Sequence, residues 1–194
     1  MKTAVVTGAG RGLGREIAKG LATKGFSVLA TDIDEDSAAE TARFIGPSAW
    51  SMRQDVRDAA FHHEATHAAN QRGALALWVN HAGVLYAGSA WEHSDEDDGR
   101  MVDINVLGMI WGALAAVEAM RSKVGHIINN ASISALTPAP GLAIYGATKH
   151  AVLGFTYSLA GDIQRAGLPI EVSAVCPHGI NTDMVRDISD SKDV

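Results

Sequence analysis

Tyr145 and Lys149 stand four residues apart, and their side chains have the chemistry to move a proton together. On a helix this spacing places both side chains on one face, one turn apart. A free phenol has a pKa of about 10, and a lysine ammonium beside it favours the phenolate and lowers that pKa. The hydroxyl of Ser132 is a candidate to hold the substrate oxygen that gains or loses the proton. The Tyr-x-x-x-Lys spacing also occurs in ordinary amphipathic helices, so the surrounding sequence has to decide between the two interpretations.

A glycine-rich turn follows the first apolar stretch of the chain, and helical periodicity begins directly after it. In this order of strand, turn and helix, backbone N–H groups and the positive end of the helix dipole face one point, where a pyrophosphate fits. The motif is T-G-x-x-x-G-x-G rather than the common G-x-G-x-x-G, and a plain flexible turn is the alternative interpretation. The residues predicted to bind the cofactor there are Gly8, Arg11, Gly12, Leu13 and Gly14.

Asp32 ends the second apolar stretch and is the candidate that selects the cofactor. A carboxylate at this strand end accepts hydrogen bonds from the hydroxyls of an adenosine ribose, and it repels a ribose 2′-phosphate. The sequence therefore favours NAD over NADP. Arg11 weakens this preference, because an arginine in the glycine-rich turn can meet a phosphate, and NADP stays an alternative.

Apolar stretches and helical periodicities alternate along the chain and predict where these residues lie. This alternation indicates an α/β fold with one doubly wound, Rossmann-type parallel sheet and right-handed crossovers. The candidate residues lie at or near the carboxyl ends of strands, where ligands bind in such sheets. Strands are predicted at 4–6, 26–31, 49–54, 75–79, 126–129 and 170–175, and helices at 13–25, 36–44, 58–72, 101–120 and 144–166.

The overall composition is that of a globular protein, with 47% hydrophobic and 20% charged residues. A net charge of −6 without a basic tract argues against nucleic acid or an anionic membrane as partner. The single cysteine, Cys176, cannot form an internal disulfide, which fits a reducing compartment, and we expect a cytoplasmic protein. No signal peptide is visible, and no uninterrupted apolar run approaches the ~18 residues that span a bilayer.

One further motif, His63-Glu64-Ala65-Thr66-His67, matches the zinc-protease signature H-E-x-x-H. A zinc protease needs a third ligand and an open site, and no glycine–histidine extension follows His67. The predicted helix should also pack on a face of the sheet, away from the strand ends. We therefore expect a solvated helix face and no metal, with a metal hydrolase as the alternative.

Several of these motifs together resemble the short-chain dehydrogenase/reductase family, from Thr7 to about Thr182. They occur in the family's order and at its spacing, which is more specific than any motif alone. Two positions depart from the family pattern, since His81 replaces an asparagine and His178 a glycine. The matching residues are Thr7, Gly8, Gly12 and Gly14 in the turn, Asp55-Val56, Asn80-His81-Ala82-Gly83, the tetrad Asn105, Ser132, Tyr145 and Lys149, and Pro177 with Thr182.

The resemblance implies an NAD(P)-dependent oxidoreductase that interconverts a secondary alcohol and a ketone by hydride transfer. Tyr145 would be the general acid/base, and Lys149 would lower the pKa of Tyr145 and bind the nicotinamide ribose. Ser132 would orient the substrate oxygen, and Asn105 would hold a water. The further cofactor contacts that it implies are Asp55, Val56, Asn80, Ala82, Gly83, Tyr145, Lys149, Pro177, Ile180 and Thr182.

The resemblance also implies a homodimer or homotetramer packed through helices 101–120 and 145–165. One domain, 1–182, is predicted, and the polar tail 183–194 suggests that the family's C-terminal edge strand is missing. The residues expected to line the substrate pocket are mainly apolar, which predicts a small apolar alcohol or ketone as substrate. The alternative is a dinucleotide-binding sensor or scaffold without turnover. The predicted pocket residues are Leu85, Tyr86, Ile133, Ser134, Leu136 and His178.

Overall fold

Six parallel strands form one sheet in residues 1–178, which are the residues that the computed structural model describes. The strand order is β3-β2-β1-β4-β5-β6, so the chain adds strands first on one side of β1 and then on the other. This confirms the predicted doubly wound α/β fold. The strands are β1 (Lys2–Thr7), β2 (Ser27–Asp32), β3 (Ala49–Arg53), β4 (Ala74–Asn80), β5 (Gly125–Asn130) and β6 (Ile170–Val175).

Helices cover both faces of the sheet because the central strands are apolar on both sides. Val6 and Val28 pack on one face against apolar residues of the first helix, among them Ile17. Val5 and Ile127 belong to the cluster on the opposite face, which the later helices complete. The helices are α1 (Gly12–Thr23), α2 (Glu35–Ile45), α3 (Ala59–Arg72), α4 (Asp95–Val102), α5 (Met109–Met120) and α6 (Ala143–Arg165).

The helix predicted to begin at Met101 begins at Asp95, which corrects the sequence-based boundary. Ser94 caps it, since its hydroxyl accepts a hydrogen bond from the Asp97 N–H at 3.1 Å. The four acidic residues of the first turn favour the positive end of the helix dipole, so a stretch that looks like a polar connection is the start of a helix. A π-helical segment, Asp103–Gly108, joins α4 to α5 and contains Asn105.

The interval Asp95–Met120 is long and apolar enough to cross a membrane by length and composition alone, which a search for uninterrupted apolar runs does not detect. Core helices pass the same test, and Met101, Ala116 and Met120 are fully buried in this one.

The homo-oligomer that the resemblance implies, packed through the two long helices, stays a prediction.

Gly112 on α5 and Gly20 on α1 offer a matched test of how closely α5 packs against β4. A Cβ at Gly112 would overlap Asn80 Oδ1 and lie 3.1 Å from Trp78 Nε1, whereas a Cβ at Gly20 meets no atom within 4 Å. We expect Gly112→Ala to lower the free energy of unfolding by about 1–3 kcal/mol, as overpacking does. Gly20→Ala should raise it by up to about 1 kcal/mol, because alanine is the better helix former. Urea unfolding of both variants measures this, and equal effects would contradict the packing described.

Candidate active site

A cleft of about 590 Å³ lies over the carboxyl ends of the strands and gathers residues from the whole chain. Most of the predicted site residues line it. Its walls also include residues that the sequence did not single out, among them Gln54, Arg57, Arg100 and Ile104. Ile180 and Thr182 lie outside the described residues. The predicted site residues that line the cleft are Gly8, Arg11, Gly12, Leu13, Asp32, Asp55, Val56, Ala82, Gly83, Ser132, Tyr145, Lys149 and Pro177.

The glycine-rich turn forms one end of the cleft and is pressed against the chain that follows β4. Gly8 has a φ of +66°, and a Cβ on it would lie 2.7 Å from the Cα of Ala82. A Cβ on Gly14 would overlap the Gly8 carbonyl oxygen, so neither position accepts a side chain. Arg11 precedes α1 without a side-chain cap, which leaves N–H groups of the first helical turn for a ligand. The turn is thus shaped to bind a phosphate group.

Asp32 holds its carboxylate at the end of β2 through the backbone. Its Oδ2 accepts a hydrogen bond from the Gly10 N–H at 2.9 Å, and its Oδ1 accepts one from the Asp34 N–H at 3.1 Å. Both oxygens retain a lone pair, because a carboxylate oxygen accepts two hydrogen bonds. The group is therefore oriented in advance for a pair of hydroxyls.

Asp55 and Arg57 form a salt bridge at the cleft wall near Asp32. Arg57 Nη2 lies 2.6 Å from Asp55 Oδ2, and Arg57 Nε donates to Asp55 Oδ1 at 2.9 Å. These hydrogen bonds hold the pKa of the Asp55 carboxyl below its usual value. Asp55 thus stays ionised and paired, and Val56 beside it supplies an apolar surface.

Lys149 is buried against Tyr145 on α6, as the four-residue spacing predicts. Its Nζ lies 5.5 Å from the centroid of the Tyr145 ring and donates a hydrogen bond to the Asn130 carbonyl at 2.9 Å. Burial lowers the pKa of Lys149 to about 8, because an ammonium loses its hydration there.

Burial acts on Tyr145 in the opposite direction to the one expected from the sequence. It raises the pKa of the Tyr145 phenol above its ordinary value, and only a hydrogen bond with the Ser132 hydroxyl works against that shift. Lys149 is not among the causes of this shift, so its expected effect of lowering the Tyr145 pKa stays a prediction. Tyr145 thus carries its proton at neutral pH.

Asn105 lies behind the cleft and joins three segments. Its Oδ1 accepts a hydrogen bond from the Val84 N–H at 2.8 Å, and its Nδ2 donates to the Val84 carbonyl at 2.8 Å. The same Nδ2 lies 3.2 Å from Thr148 Oγ1, which donates to the Tyr145 carbonyl at 2.7 Å. The side chain of Asn105 thus ties the π-helical segment to α6, and its role as a water ligand stays a prediction.

Ser132 follows β5 and begins a short 3₁₀ turn, Ile133–Ala135. Its Oγ accepts a hydrogen bond from the Ser134 N–H at 3.2 Å, which fixes the hydroxyl at the cleft wall. The Ser132 hydroxyl also donates to Ser134 Oγ at 3.4 Å, and because a hydroxyl rotates, its proton can turn instead to a substrate oxygen. The structure thus brings Ser132 into the cleft with Tyr145, as predicted.

Asn80 does not line the cleft, which corrects its expected role in direct cofactor contact. Its Oδ1 accepts from Trp78 Nε1 at 2.7 Å and its Nδ2 donates to Asn129 Oδ1 at 2.8 Å, so the side chain points into the core. Strand alternation indicates this orientation of Asn80. Residues two apart in a strand face the same side, and Trp78 is fully buried.

His81 lines the cleft and packs beside the glycine-rich turn. A Cβ on Gly14 would lie 2.7 Å from its Cδ2, and its Nδ1 is buried without a hydrogen-bond partner. Burial, followed by the positive charge of Lys149, lowers the pKa of His81 to about 4, so the ring is neutral.

The expected substrate pocket is present in part. Tyr86 and Leu136 do not line the cleft, and Leu136 is exposed. Two further apolar residues, Ala139 and Leu142, contribute from the segment before α6. The predicted pocket residues that line it are Leu85, Ile133, Ser134 and His178.

The zinc-protease motif lies away from this cleft, on α3. His63, Glu64 and His67 are exposed, and His67 Nε2 lies 2.8 Å from Gln71 Nε2. Within residues 1–178, no three His, Cys, Asp or Glu side chains come together as a metal site.

Comparison with known proteins places this arrangement among oxidoreductases. A protein-family model described as short chain dehydrogenase matches residues 2–193. The 3-beta-hydroxysteroid dehydrogenase of Comamonas testosteroni is 34% identical over 186 residues, which cover 95% of this chain and 73% of that protein. The diacetyl reductase, (S)-acetoin forming, of Staphylococcus epidermidis is 35% identical over 189 residues, 94% of this chain and 73% of that protein.

A solved structure has the same fold. The short-chain dehydrogenase/reductase from Burkholderia phymatum, crystallised in complex with NAD, superposes with a TM-score of 0.91 at 33% identity. The match covers 97% of this chain and 69% of that one.

The buried charge of Lys149 should cost folding stability. In the unfolded chain its pKa is 10.5 and in the folded protein about 8, so the cost is fully present below pH 8 and disappears as the pH rises to 10.5. We expect Lys149→Met to raise the free energy of unfolding at pH 7 by roughly 3 kcal/mol at most. The gain should shrink between pH 8 and pH 10.5.

Denaturant unfolding at pH 7 and at pH 10.5 measures this difference. Lys24→Met is the matched control, because Lys24 is exposed and its replacement should change stability little at either pH. A Lys149→Met protein that is less stable than the wild type at pH 7 would contradict the buried-charge explanation.

Proposed function

The chain belongs to the short-chain dehydrogenase family of oxidoreductases, and from that premise we propose that it interconverts a secondary alcohol and a ketone with NAD as cofactor. The observation that carries the proposal is one cleft that holds a phosphate-binding turn, a ribose-binding carboxylate and a tyrosine–lysine–serine group. The first two features suit a dinucleotide, and the third suits proton transfer to an oxygen atom.

The residues present fit NAD. Gly8 and Gly14 form a cradle that a Cβ would fill, and the uncapped start of α1 offers N–H groups to a pyrophosphate. Asp32 offers two oriented oxygens to the adenosine ribose. When bound, the nicotinamide ring accepts or donates the hydride.

The chain's own residues would handle the proton and the substrate oxygen. In the reducing direction the protonated Tyr145 donates its phenol proton to the carbonyl oxygen, while the Ser132 hydroxyl donates a hydrogen bond to the same atom. In the oxidising direction Tyr145 has to lose its proton first, and because burial raises the pKa of its phenol, that step needs a more alkaline pH than for a free phenol. The Lys149 ammonium stabilises the phenolate that forms.

A mainly apolar substrate suits the cleft wall next to Tyr145. Leu85, Ile133 and Leu142 line that wall, and apolar side chains bind apolar groups by removing them from water. Two relatives carry names with the same class of chemistry, a hydroxysteroid dehydrogenase and a reductase of diacetyl. These names support an alcohol or ketone as the reacting group.

Replacement of Tyr145 by phenylalanine tests the proton-transfer role. General acid–base catalysis contributes about 10²–10⁴-fold, so Tyr145→Phe should lower kcat at least about a hundredfold. The change removes one oxygen, so NADH binding should stay within about twofold. Absorbance at 340 nm with a panel of alcohols and ketones gives the rate, and NADH fluorescence gives the affinity.

Tyr157→Phe is the matched control, because Tyr157 lies on the same helix with 68% of its surface exposed. It should leave the rate and the affinity unchanged. Near-wild-type turnover in Tyr145→Phe would refute the proposed mechanism. NADH binding by the wild type without turnover on any carbonyl would support the sensor alternative.

Replacement of Asp32 by asparagine tests the cofactor preference. The neutral amide loses a charged acceptor for the ribose and no longer repels a 2′-phosphate, so NADH affinity should fall about tenfold and NADPH affinity should rise. Asp34→Asn is the control, since asparagine caps a helix as well as aspartate does and Asp34 starts α2. Fluorescence titration with both cofactors decides, and an unchanged NADH/NADPH ratio in Asp32→Asn would contradict the assignment.

A further inference from the structure

Gln54, which lines the cleft, and His62, which does not, form a buried polar pair at the cleft wall. Their exposed fractions are 2% and 0%, and Gln54 Nε2 lies 2.9 Å from His62 Nδ1. Gln54 follows β3 and precedes Asp55-Val56, whereas His62 comes from the first turns of α3. Polar groups at this depth are costly unless every one of them is paired.

The hydrogen-bond partners assign the proton on His62. Its Nε2 lies 2.9 Å from the Val56 carbonyl oxygen, which can only accept, so Nε2 carries the hydrogen. The Nδ1 atom is then an acceptor for the Gln54 amide. Gln54 Oε1 in turn accepts from the Thr31 hydroxyl at 2.7 Å. The ring is thus neutral, in agreement with burial, which lowers the pKa of His62.

This chain of hydrogen bonds ends on the backbone and side chains of the segments that form the cleft. One end of the chain is Thr31, the residue before Asp32. The Gln54 N–H also donates to the Asp32 carbonyl at 2.8 Å. Through His62 the chain of hydrogen bonds holds Val56, which lines the cleft. Val56 is confined from the other side as well, since a Cβ on Gly108 would lie 2.9 Å from its Cγ2.

If the pair served only the stability of the core, apolar residues of similar shape could replace it at little cost. Two matched polar groups add little net stability over such apolar residues. What distinguishes Gln54 and His62 is the destination of their bonds. Both connect the carboxyl end of β2 with the turn after β3, the two segments that carry Asp32 and Val56.

We propose that Gln54 and His62 are positioning residues for the adenosine half of the dinucleotide, which hold the Val56 surface at a set distance from the Asp32 carboxylate. This inference rests on the proposed dinucleotide site. Neither residue touches the reacting atoms, so the pair acts on cofactor affinity and leaves the chemical step alone. Preorganisation of this kind improves binding by removing the cost of ordering the site.

The double variant Gln54→Leu/His62→Leu separates positioning from stability. It removes both members of the pair together, and Thr31 keeps its bond to the Val6 carbonyl, but the Val56 carbonyl loses its donor. Its thermal unfolding temperature should therefore fall by several degrees while the protein stays folded at 25 °C. The dissociation constant of 5′-AMP, a probe of the adenosine half alone, should rise about tenfold, which is the effect of one lost hydrogen bond. NADH should weaken by the same factor, and kcat at saturating NADH should change less than about twofold.

His63→Leu is the matched control, because His63 is the next residue of α3 and is exposed. Its 5′-AMP affinity should equal that of the wild type. Two conservative variants keep the test decisive should the double variant fail to fold. His62→Gln retains an N–H that reaches the Val56 carbonyl and should keep 5′-AMP affinity, whereas His62→Asn is too short for that bond and should lose it.

The outcomes distinguish this inference from the proposed function. A wild-type protein that binds neither 5′-AMP nor NADH overturns both. A wild type that binds both ligands, together with a folded double variant of unchanged affinity, overturns the positioning role alone. Equal 5′-AMP affinity in His62→Gln and His62→Asn also overturns it.

Discussion

The position of β1 between β2 and β4 is the constraint on which the cleft depends. Connections leave β1 towards one side of the sheet and later strands are added on the other, so a crevice opens over the carboxyl ends at this point. The turn at Gly8 enters the crevice, where backbone approaches backbone too closely for a Cβ. Thr7 Oγ1 holds this approach, since it accepts hydrogen bonds from the N–H groups of His81 and Ala82 at 3.0 and 3.1 Å. Strand order thus creates the binding site before any catalytic side chain is considered.

Burial disfavours the charged form of both Tyr145 and Lys149. Because the tyrosine is charged when deprotonated and the lysine when protonated, their pKa values shift in opposite directions. A low-dielectric surrounding disfavours whichever form is charged, so the pKa of Tyr145 rises and that of Lys149 falls. A buried ammonium with one carbonyl partner, Asn130, costs stability without improving the packing. The proposed function supplies a rationale for such a residue, because its ammonium would stabilise a Tyr145 phenolate formed beside it.

Much of the fold could be predicted because central strands of a parallel sheet are apolar on both faces and read as short apolar runs. The start of α4 could not be predicted in this way, since the acidic turn after Ser94 has no apolar residue to carry the periodicity. The motif assigns Asn80 to the cofactor, but strand alternation, which turns its side chain to the core beside Trp78, is the better guide. The pKa of Tyr145 depends on burial by residues distant in sequence, so no local sequence pattern predicts the direction of its shift.

The candidate site also depends on polar pairs that lie under it. The Asn80–Asn129 pair connects β4 to β5, and the Gln54–His62 pair connects the end of β2 to α3 and to the turn after β3. A hydrogen bond constrains both distance and direction, whereas apolar contacts tolerate sliding by a fraction of a side chain. Apolar clusters therefore assemble the sheet, and these pairs determine how accurately its strand ends are aligned. Because the side chains of these pairs are buried, a motif describes the cleft surface that they align without revealing what aligns it.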